Sequence, residues 1–280
     1  MRPGGRLTIV PTPIGNLEDI TLRALRELRE ADIIACEDTR TSSVLLKRYN
    51  IPRKPLVALH LHNEREQTQR LIEDLKDGKN IAVISDAGLP GVSDPGYLLL
   101  RDATDAGFDA DVLPGPSALL PALLLSGLPP EPFLFYGFPP EKPGQRKKLF
   151  ASLALAPCTS VFYIAPHKAE RQVSELRELL GDRQAAIVRE ISKIYQEVIK
   201  GSLSDIASRL EKGVKGEMVL VVAGRREEYI SEESITSETW QEEAKKLLSE
   251  GVSAKTIALE ISQRRNTPKN AVKEFLLSIK

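Results

Sequence analysis

Short apolar runs alternate with amphipathic stretches along the first 113 residues of the chain. The runs predict buried strands, and the stretches with apolar residues three or four positions apart predict helices. The predicted strands are Leu7–Val10, Ile33–Ala35, Val57–Leu59, Ile81–Ile84 and Asp111–Leu113, and the predicted helices are Thr21–Arg29, Thr41–Tyr49, Glu64–Lys76 and Tyr97–Ala106. Alternation of this kind predicts a mostly parallel sheet with helices on both faces.

The segment Pro114-Gly115-Pro116 interrupts this alternation and predicts a joint between domains. A helix over Ser117–Ser126 follows, with Ser117 as its expected N-cap. The predicted strands are then Phe133–Tyr136, Ser160–Ile164, Gln184–Arg189, Ile194–Lys200 and Met218–Val222, and the helices are Gln145–Leu155, Ala169–Leu180 and Ser204–Glu211. We therefore expect an α/β protein with one α/β domain over residues 1–116 and a second over residues 117–226.

Residues 227–280 differ in charge from the rest and are expected to form a separate connector and helical tail. Residues 227–243 hold seven glutamates and no Lys or Arg, which predicts an acidic connector running into a helix. Residues 253–280 reverse the sign, with the basic residues Lys255, Arg264, Arg265, Lys269, Lys273 and Lys280. Ser253 can cap one helix, and Thr267 with Pro268 can start another, as cap and first helical position. The tail is either a helical hairpin that docks on a polyanion or a small three-helix appendage with solvated lysines.

Composition excludes several classes of protein. The 280 residues include 39 Lys+Arg and 39 Asp+Glu, so any nucleic-acid surface must be local. Two cysteines, Cys36 and Cys158, do not suggest a disulfide framework. The start of the chain shows no signal-peptide pattern, and the longest apolar stretch, near Ala118–Leu128, is short and broken by Pro121. We expect a cytoplasmic protein that does not associate with a membrane.

Three loops rich in proline and glycine follow predicted strands, over residues 10–19, 85–96 and 114–118. The second holds three glycines and two prolines, more than a simple strand-to-helix connection requires. Glycine lets the backbone approach a ligand closely, and open parallel sheets bind ligands beyond the carboxyl ends of their strands. The loops are expected to line one crevice, although loop 85–96 taken alone also fits an ordinary surface loop. Neither G-x-x-x-x-G-K-[ST] nor G-x-G-x-x-G occurs, which argues against a nucleoside triphosphatase or a dinucleotide dehydrogenase.

Charged residues follow two predicted strands. Glu37-Asp38-Thr39-Arg40 follows the second strand, and Arg189–Lys193 ends an apolar run in the second half. Such residues can hold a polar substrate or assist proton removal, and they can equally form a helix cap and local ion pairs. His60 and His62 are expected to face the same side of a strand end, but a metal ion would need a third ligand. No metal is therefore expected.

Five motifs, in this order along the chain, closely resemble those of the small-subunit ribosomal RNA methyltransferase I family, a branch of the tetrapyrrole-methylase-like fold. They are Val10–Thr21, Glu37–Arg40, Ser85–Gly88 with Asp94–Gly96, Pro114–Pro116, and Lys215–Leu220. The resemblance covers about residues 6–224, and the C-terminal helices also look similar. Two pairs of residues depart from the usual family sequence, with Thr41-Ser42 in place of His-Thr and Ile164-Ala165 in place of Glu-Ser.

The resemblance implies two α/β domains of the tetrapyrrole methylase type with a small C-terminal helical domain. It also implies a homodimer that transfers a methyl group from S-adenosylmethionine to the ribose 2′-hydroxyl of a cytidine in small-subunit rRNA, either free or in the assembled subunit. The residues implied to contact the methyl donor are Pro13, Asp86, Ala87, Gly88, Val92, Ser117, Ala118, Ile164 and Ala165. The candidates for catalysis, as base or polarising cation, are Asp38, Arg40, Glu190 and Lys193.

The chemistry implied by this resemblance needs no metal, because a sulfonium methyl group is already activated and the enzyme mainly aligns it with the attacking oxygen. Fold resemblance alone leaves the substrate open. The alternatives are a small-molecule tetrapyrrole methylase and a non-enzymatic rRNA-binding assembly factor.

Overall fold

The computed structural model describes residues 4–211, 213–225, 240–249, 252–265 and 267–279. The described residues up to Arg225 form one compact unit, and those from Trp240 onward form a second. Most of the predicted acidic connector, up to residue 239, lies outside the described residues.

Between residues 4 and 112, five parallel strands form a sheet in the order β3-β2-β4-β1-β5. The strands are β1 (Arg6–Ile9), β2 (Ile33–Cys36), β3 (Leu56–Ala58), β4 (Ile81–Ile84) and β5 (Asp109–Val112), and the helices are α1 (Leu22–Glu30), α2 (Thr39–Arg48), α3 (Glu64–Lys76) and α4 (Tyr97–Asp105). Two buried clusters, one around Leu71 and one around Leu28, contain alternating residues of the same strands and therefore lie on opposite faces of the sheet. The predicted parallel sheet is confirmed, and its central strands are apolar because helices cover both faces.

The carboxyl ends of β1 and β4 are neighbours at the point where the strand order reverses direction. The loops that follow these strands are joined by Thr12 and Gly88, whose backbone N–H groups each donate to the other residue's carbonyl at 2.9 Å. Thr12 is fully buried, and its hydroxyl donates to the Ser85 carbonyl at 3.0 Å. Gly88 has φ +82°, a left-handed conformation that favours glycine. A crevice at such a switch point is a typical ligand site of open parallel sheets.

The described residues from 113 to 225 add five strands in the order β6-β7-β10-β8-β9. The strands are β6 (Phe133–Phe135), β7 (Thr159–Ile164), β8 (Gln184–Arg189), β9 (Glu197–Ser202) and β10 (Met218–Val222), and the helices are α5 (Leu119–Ser126), α6 (Pro143–Ser152), α7 (Ala169–Leu180) and α8 (Leu203–Glu211). The β6–β7 pair is parallel, and the other three described pairs are antiparallel. The β8–β9 pair is antiparallel because no helix separates the two strands, so they pair as a hairpin.

Several predicted boundaries in this half are wrong, and α6, for example, spans Pro143–Ser152 rather than Gln145–Leu155. The strand predicted from Ile194 begins only at Glu197, because Glu190 and Ser192 take left-handed backbone conformations, with φ of 51° and 65°, and turn the chain before it. Ala118, rather than Ser117, is the N-cap of α5, although the Ser117 hydroxyl accepts from the Leu119 N–H at 3.3 Å.

The second unit consists, within the described residues 240–279, of α9 (Trp240–Ser249), α10 (Ala254–Arg265) and α11 (Lys269–Ser278). Its buried core includes Ile257, Ile261 and Leu276. Ser253 caps α10 as predicted, since its hydroxyl accepts from the Thr256 N–H at 3.2 Å, whereas α11 is capped by Pro268 and begins one residue later than predicted. In the described part of the chain, no helix combines the length and apolar character needed to cross a membrane.

Candidate functional site

A cavity of about 480 Å³ opens within the first unit, at the crevice between the loops after β1 and β4. Its wall also includes the start of α5, the end of β7 and the start of β10. Ile14 comes from the loop after β1, and Met218 begins β10. Residues from both sheets therefore converge on one site.

Eight of the nine residues implied to contact a methyl donor line this cavity. They are Asp86, Ala87, Gly88, Val92, Ser117, Ala118, Ile164 and Ala165. Pro13 is not among the lining residues, although its neighbour Ile14 is. The loops over residues 85–96 and 114–118 thus reach the same space, as does Ile164-Ala165, where the sequence departs from the family.

One wall of the cavity is apolar and aromatic. Tyr163, on β7, lies with its ring centroid 4.9 Å from that of Phe135 and 5.5 Å from that of Phe138. Burial raises the pKa of Tyr163, and the charge of Asp94 adds to this effect. Ile14 and Val92 also line the cavity. A flat aromatic group on a ligand would find a matching surface here.

Carboxylates on Glu37, Asp86 and Asp94 line the same cavity, and so does that of Glu217. Burial raises the pKa of Asp94 to about 6, with further contributions from Glu37 and Asp86 and an opposing hydrogen bond from Ser85. Burial likewise raises the pKa of Asp86, whose Oδ1 accepts from the Asp38 N–H at 3.3 Å. Partly buried carboxylates that repel one another favour a ligand carrying positive charge.

Asp38 and Arg40, two of the candidates for catalysis, form a pair that does not line the cavity. The Asp38 carboxylate accepts from Arg40 Nε at 3.1 Å and Nη2 at 2.6 Å, and from the Arg40 backbone N–H at 2.8 Å. These bonds lower the pKa of Asp38 to about 2. The carboxylate also caps α2, so the alternative of a helix cap with a local ion pair describes its contacts.

Glu190 and Lys193 form a second pair, which does not line the cavity but contacts a residue that does. Lys193 Nζ donates to Glu190 Oε1 at 3.0 Å and to Glu217 Oε2 at 2.9 Å, and Glu217 is a lining residue. The Glu217 backbone N–H also donates to Glu190 Oε1, at 3.1 Å. The Lys193–Glu190 pair therefore holds Glu217 at the cavity wall.

Sequence reasoning did not select Glu37, Asp94, Tyr163 or Glu217. Glu37 and Asp94 stand inside motifs that drew attention for other residues, and their convergence depends on the crossing of two distant loops. Tyr163 lies in β7 and Glu217 directly precedes β10, and the pattern did not reveal the arrangement of this second sheet. His60 and His62 lie in a turn after β3 rather than on a strand, and no metal-binding cluster occurs among the described residues.

Comparisons with known proteins place this site in a family. The model of the tetrapyrrole (corrin/porphyrin) methylases matches residues 6–207. The chain is 43% identical over 271 residues to the ribosomal RNA small subunit methyltransferase I of Bacillus subtilis, covering 96% of this chain and 92% of that protein. The chain belongs to the ribosomal RNA small subunit methyltransferase I family of the tetrapyrrole methylases. The Thermotoga maritima protein of the same name is 42% identical over 222 residues, 79% of this chain and 99% of that protein.

Solved structures of related fold agree with the architecture. Diphthine synthase aligns with a TM-score of 0.60 and 18% identity, over 78% of this chain and 90% of that chain. Uroporphyrin-III-C-methyltransferase from Thermus thermophilus aligns with a TM-score of 0.55 and 23% identity, over 79% and 92%. These likenesses confirm the expected fold class. Family membership makes the chain a methyltransferase and implies S-adenosylmethionine as the methyl donor.

The residues of the cavity fit this donor. A volume of about 480 Å³ lies within the usual range of ligand sites. The carboxylates suit the positive charge of a sulfonium and an ammonium group, and the wall around Tyr163 suits an adenine ring.

Proposed function

We propose that the chain transfers a methyl group from S-adenosylmethionine to the ribose 2′-hydroxyl of a cytidine in small-subunit rRNA. The observation that carries this proposal is the 43% identity over 96% of the chain to a protein named for rRNA methylation. The carboxylate-lined cavity supports the donor half of the proposal, because it matches the charge and shape of the donor.

The donor is proposed to lie against Asp86, Ala87, Gly88, Val92, Ser117, Ala118, Ile164 and Ala165, with Pro13 next to this wall. Gly88 contributes room rather than hydrogen bonds, since both of its backbone polar groups pair with Thr12. When bound, the donor supplies an electrophilic methyl group on a sulfonium. The contribution of the chain is then to align a ribose hydroxyl and to receive or stabilise its proton.

Asp38, Arg40, Glu190 and Lys193 are proposed to serve the acceptor side of the reaction. Lys193 and Glu190 reach the cavity through Glu217, which both contact. Asp38 reaches it through its backbone bond to Asp86. Lys193 can stabilise negative charge that develops on the attacking oxygen, whereas a carboxylate with a pKa of about 2 is a weak base.

We further propose that the enzyme is a cytoplasmic homodimer with domains over residues 1–116, 117–226 and 227–280, and that its partner is rRNA or the assembled small subunit. The exposed side chains of Leu120 and Leu124 on α5 support a contact between subunits, because solvent-facing leucines on one helix favour a partner.

The decisive experiment supplies S-adenosylmethionine carrying a labelled methyl group to small ribosomal subunits and to free small-subunit rRNA, both from a strain that lacks the gene. We expect label in the rRNA, at a cytidine whose 2′-O-methyl group blocks alkaline cleavage of the following phosphodiester bond. Donor binding by calorimetry without any transfer to RNA would favour a small-molecule methylase. Absence of donor binding would favour a non-enzymatic assembly factor.

A further inference from the structure

The segment that joins β8 to β9 exposes two large side chains at its tip. Ile194 is 95% exposed and Tyr195 is 75% exposed. Ile194 is the most exposed large apolar side chain among the residues that the structure describes. Apolar and aromatic side chains displayed together on a soluble surface favour a binding role.

The tip stands on a rigid base. The backbone N–H of Lys193 donates to the Glu190 carbonyl at 3.0 Å, and that of Gln196 donates to the Lys193 carbonyl at 3.1 Å. The Gln196 side chain accepts from the Ser192 N–H at 2.9 Å. Glu190 and Ser192 hold left-handed conformations that non-glycine residues rarely adopt, and such strain concentrates at functional sites.

The same segment borders the cavity. Ile191 lines the cavity, as does Glu217, to which Lys193 donates. The Ser192 hydroxyl donates to the Asp19 carboxylate, which ties the segment to the loop region after β1. Ile194 and Tyr195 thus follow closely on residues that form the cavity wall.

We infer that the Ile194–Tyr195 tip binds an unpaired nucleotide of the RNA substrate, with the ring of Tyr195 stacked on its base. The inference rests on the proposed function, since a ribose that enters the cavity brings a neighbouring nucleotide to its rim. Exposed aromatic rings stack on unpaired bases without regard to their sequence. A preformed loop loses little freedom when it binds.

The charges at this edge favour a base over a backbone phosphate as the contact. Glu190 and Glu217 neutralise Lys193, and Glu37, Asp86 and Asp94 line the cavity behind it. Phosphates are repelled by such carboxylates, whereas an uncharged base is not. A contact between two copies of the chain is less favoured, because a stable interface buries about 800 Å² on each partner and the tip offers two side chains.

The test compares Tyr195→Leu with Tyr195→Phe and with the matched control Tyr97→Leu. Tyr97 is also an exposed tyrosine, on α4, and does not line the cavity. The probes are small ribosomal subunits and free small-subunit rRNA from a strain that lacks the gene.

We expect Tyr195→Leu to raise the Kd for whichever probe the parent protein methylates, by at least about tenfold, in line with the loss of one stacked base. Tyr195→Phe should stay within about twofold, because it retains the ring. Tyr97→Leu should match the parent, and donor affinity should be equal in all four proteins.

An unchanged Kd in Tyr195→Leu would overturn the inference. Unchanged RNA affinity together with a lower sedimentation coefficient would assign the tip to a contact between copies. If the parent methylates RNA while Tyr195→Leu binds it equally well, the inference fails and the proposed function stands. If the parent binds RNA through Tyr195 but transfers no methyl group, the proposed function fails and the stacking contact stands.

Discussion

The side chain of Lys193 lies directly against the α-carbon of Gly15. A β-carbon at position 15 would overlap Lys193 Cγ and would lie 3.2 Å from Lys193 Cε and 3.3 Å from the Ile191 carbonyl oxygen. Gly15 follows β1, and Lys193 follows β8, so the contact joins loops that belong to different sheets. The absence of a side chain at position 15 therefore lets Lys193 reach Glu217 at the cavity wall.

Gly15→Ala should displace Lys193. We expect the free energy of unfolding to fall by about 1–2 kcal/mol, the usual cost of adding a methyl group to a tightly packed position. The methylation rate should fall by about tenfold, because Lys193 no longer reaches Glu217. Gly144→Ala is the matched control, because a β-carbon there meets nothing within 4 Å and the residue lies in α6. Urea unfolding and initial rates would check this prediction. Equal behaviour of the two variants would contradict it.

Asp94 should make the unliganded protein less stable as the pH rises. Its folded-state pKa of about 6 lies above the ordinary 3.8, so this contribution to stability is fully present below about pH 4 and is lost as the pH rises through about 6. Asp94→Asn should be more stable than the parent by up to about 3 kcal/mol at pH 7.5, since the pKa rises from 3.8 to about 6 and one pKa unit corresponds to about 1.4 kcal/mol. The two proteins should converge at pH 4. Urea unfolding as a function of pH measures the difference, and Asp105→Asn, at an exposed position, is the matched control.

Lys193→Ala and Asp38→Asn test the acceptor side of the reaction. We expect Lys193→Ala to lower the methylation rate by at least about a hundredfold, the usual scale of general acid–base assistance. Asp38→Asn should lower it less, because a carboxylate with a pKa of about 2 is a weak base. Donor affinity should change little, because neither residue lines the cavity. Single-turnover rates and calorimetry with S-adenosylmethionine separate the two effects. An equal loss of rate and donor binding would assign the residue to the donor site instead.

Arg146 should contribute strongly to the stability of the second sheet and its helices. Its side chain is 1% exposed, and it donates to Glu175 at 2.6 and 2.7 Å and to the carbonyls of Pro140 and Glu141 at 3.0 and 2.9 Å. Arg146→Ala should cost about 3 kcal/mol, because it removes a buried side chain and leaves the partly exposed Glu175 carboxylate and two backbone carbonyls without their donor. Arg101→Ala, which removes an exposed pair with Asp102, should cost less than about 1 kcal/mol. Urea unfolding of both variants decides the prediction.

The basic residues of the tail should bind RNA if the tail docks on a polyanion. The test reverses Lys255, Arg264, Arg265, Lys269 and Lys273 to Glu. We expect weaker RNA binding and a log–log salt slope that is shallower by about 0.9 for each phosphate that the tail no longer neutralises. Donor affinity should not change. Reversal of Lys147 and Lys148, exposed on α6, is the control, and an unchanged salt slope in the tail variant would make the tail a structural appendage.

Local patterns predicted most of the helices and strands. The bounds of α3 and α7 match the predictions Glu64–Lys76 and Ala169–Leu180, because apolar spacing along one helix is a property of neighbouring residues. Strand direction is different. Met218–Val222 pairs with both β7 and β8, and that choice depends on contacts between segments far apart in the chain.

The candidate site was predictable in part for a similar reason. Proline and glycine in loop 85–96 pointed to a crevice at the carboxyl end of β4, where the structure has one. The pattern at Ile194 suggested a strand, since apolar alternation does not reveal a left-handed turn at Glu190 and Ser192. The approach of Tyr163 to Asp94 required the second sheet, whose topology the alternation did not reveal.

The central position of β10 in the second sheet constrains how the chain folds during its synthesis. The first sheet is complete once Val112 has been made, so it can fold while the rest of the chain is still being translated. In the second sheet, β7 and β8 each await β10, the last strand of the unit to be translated. Until Val222 emerges, both present unpaired edges that can recruit another nascent chain. The final strand thus closes a sheet that every earlier stage of translation leaves split in two.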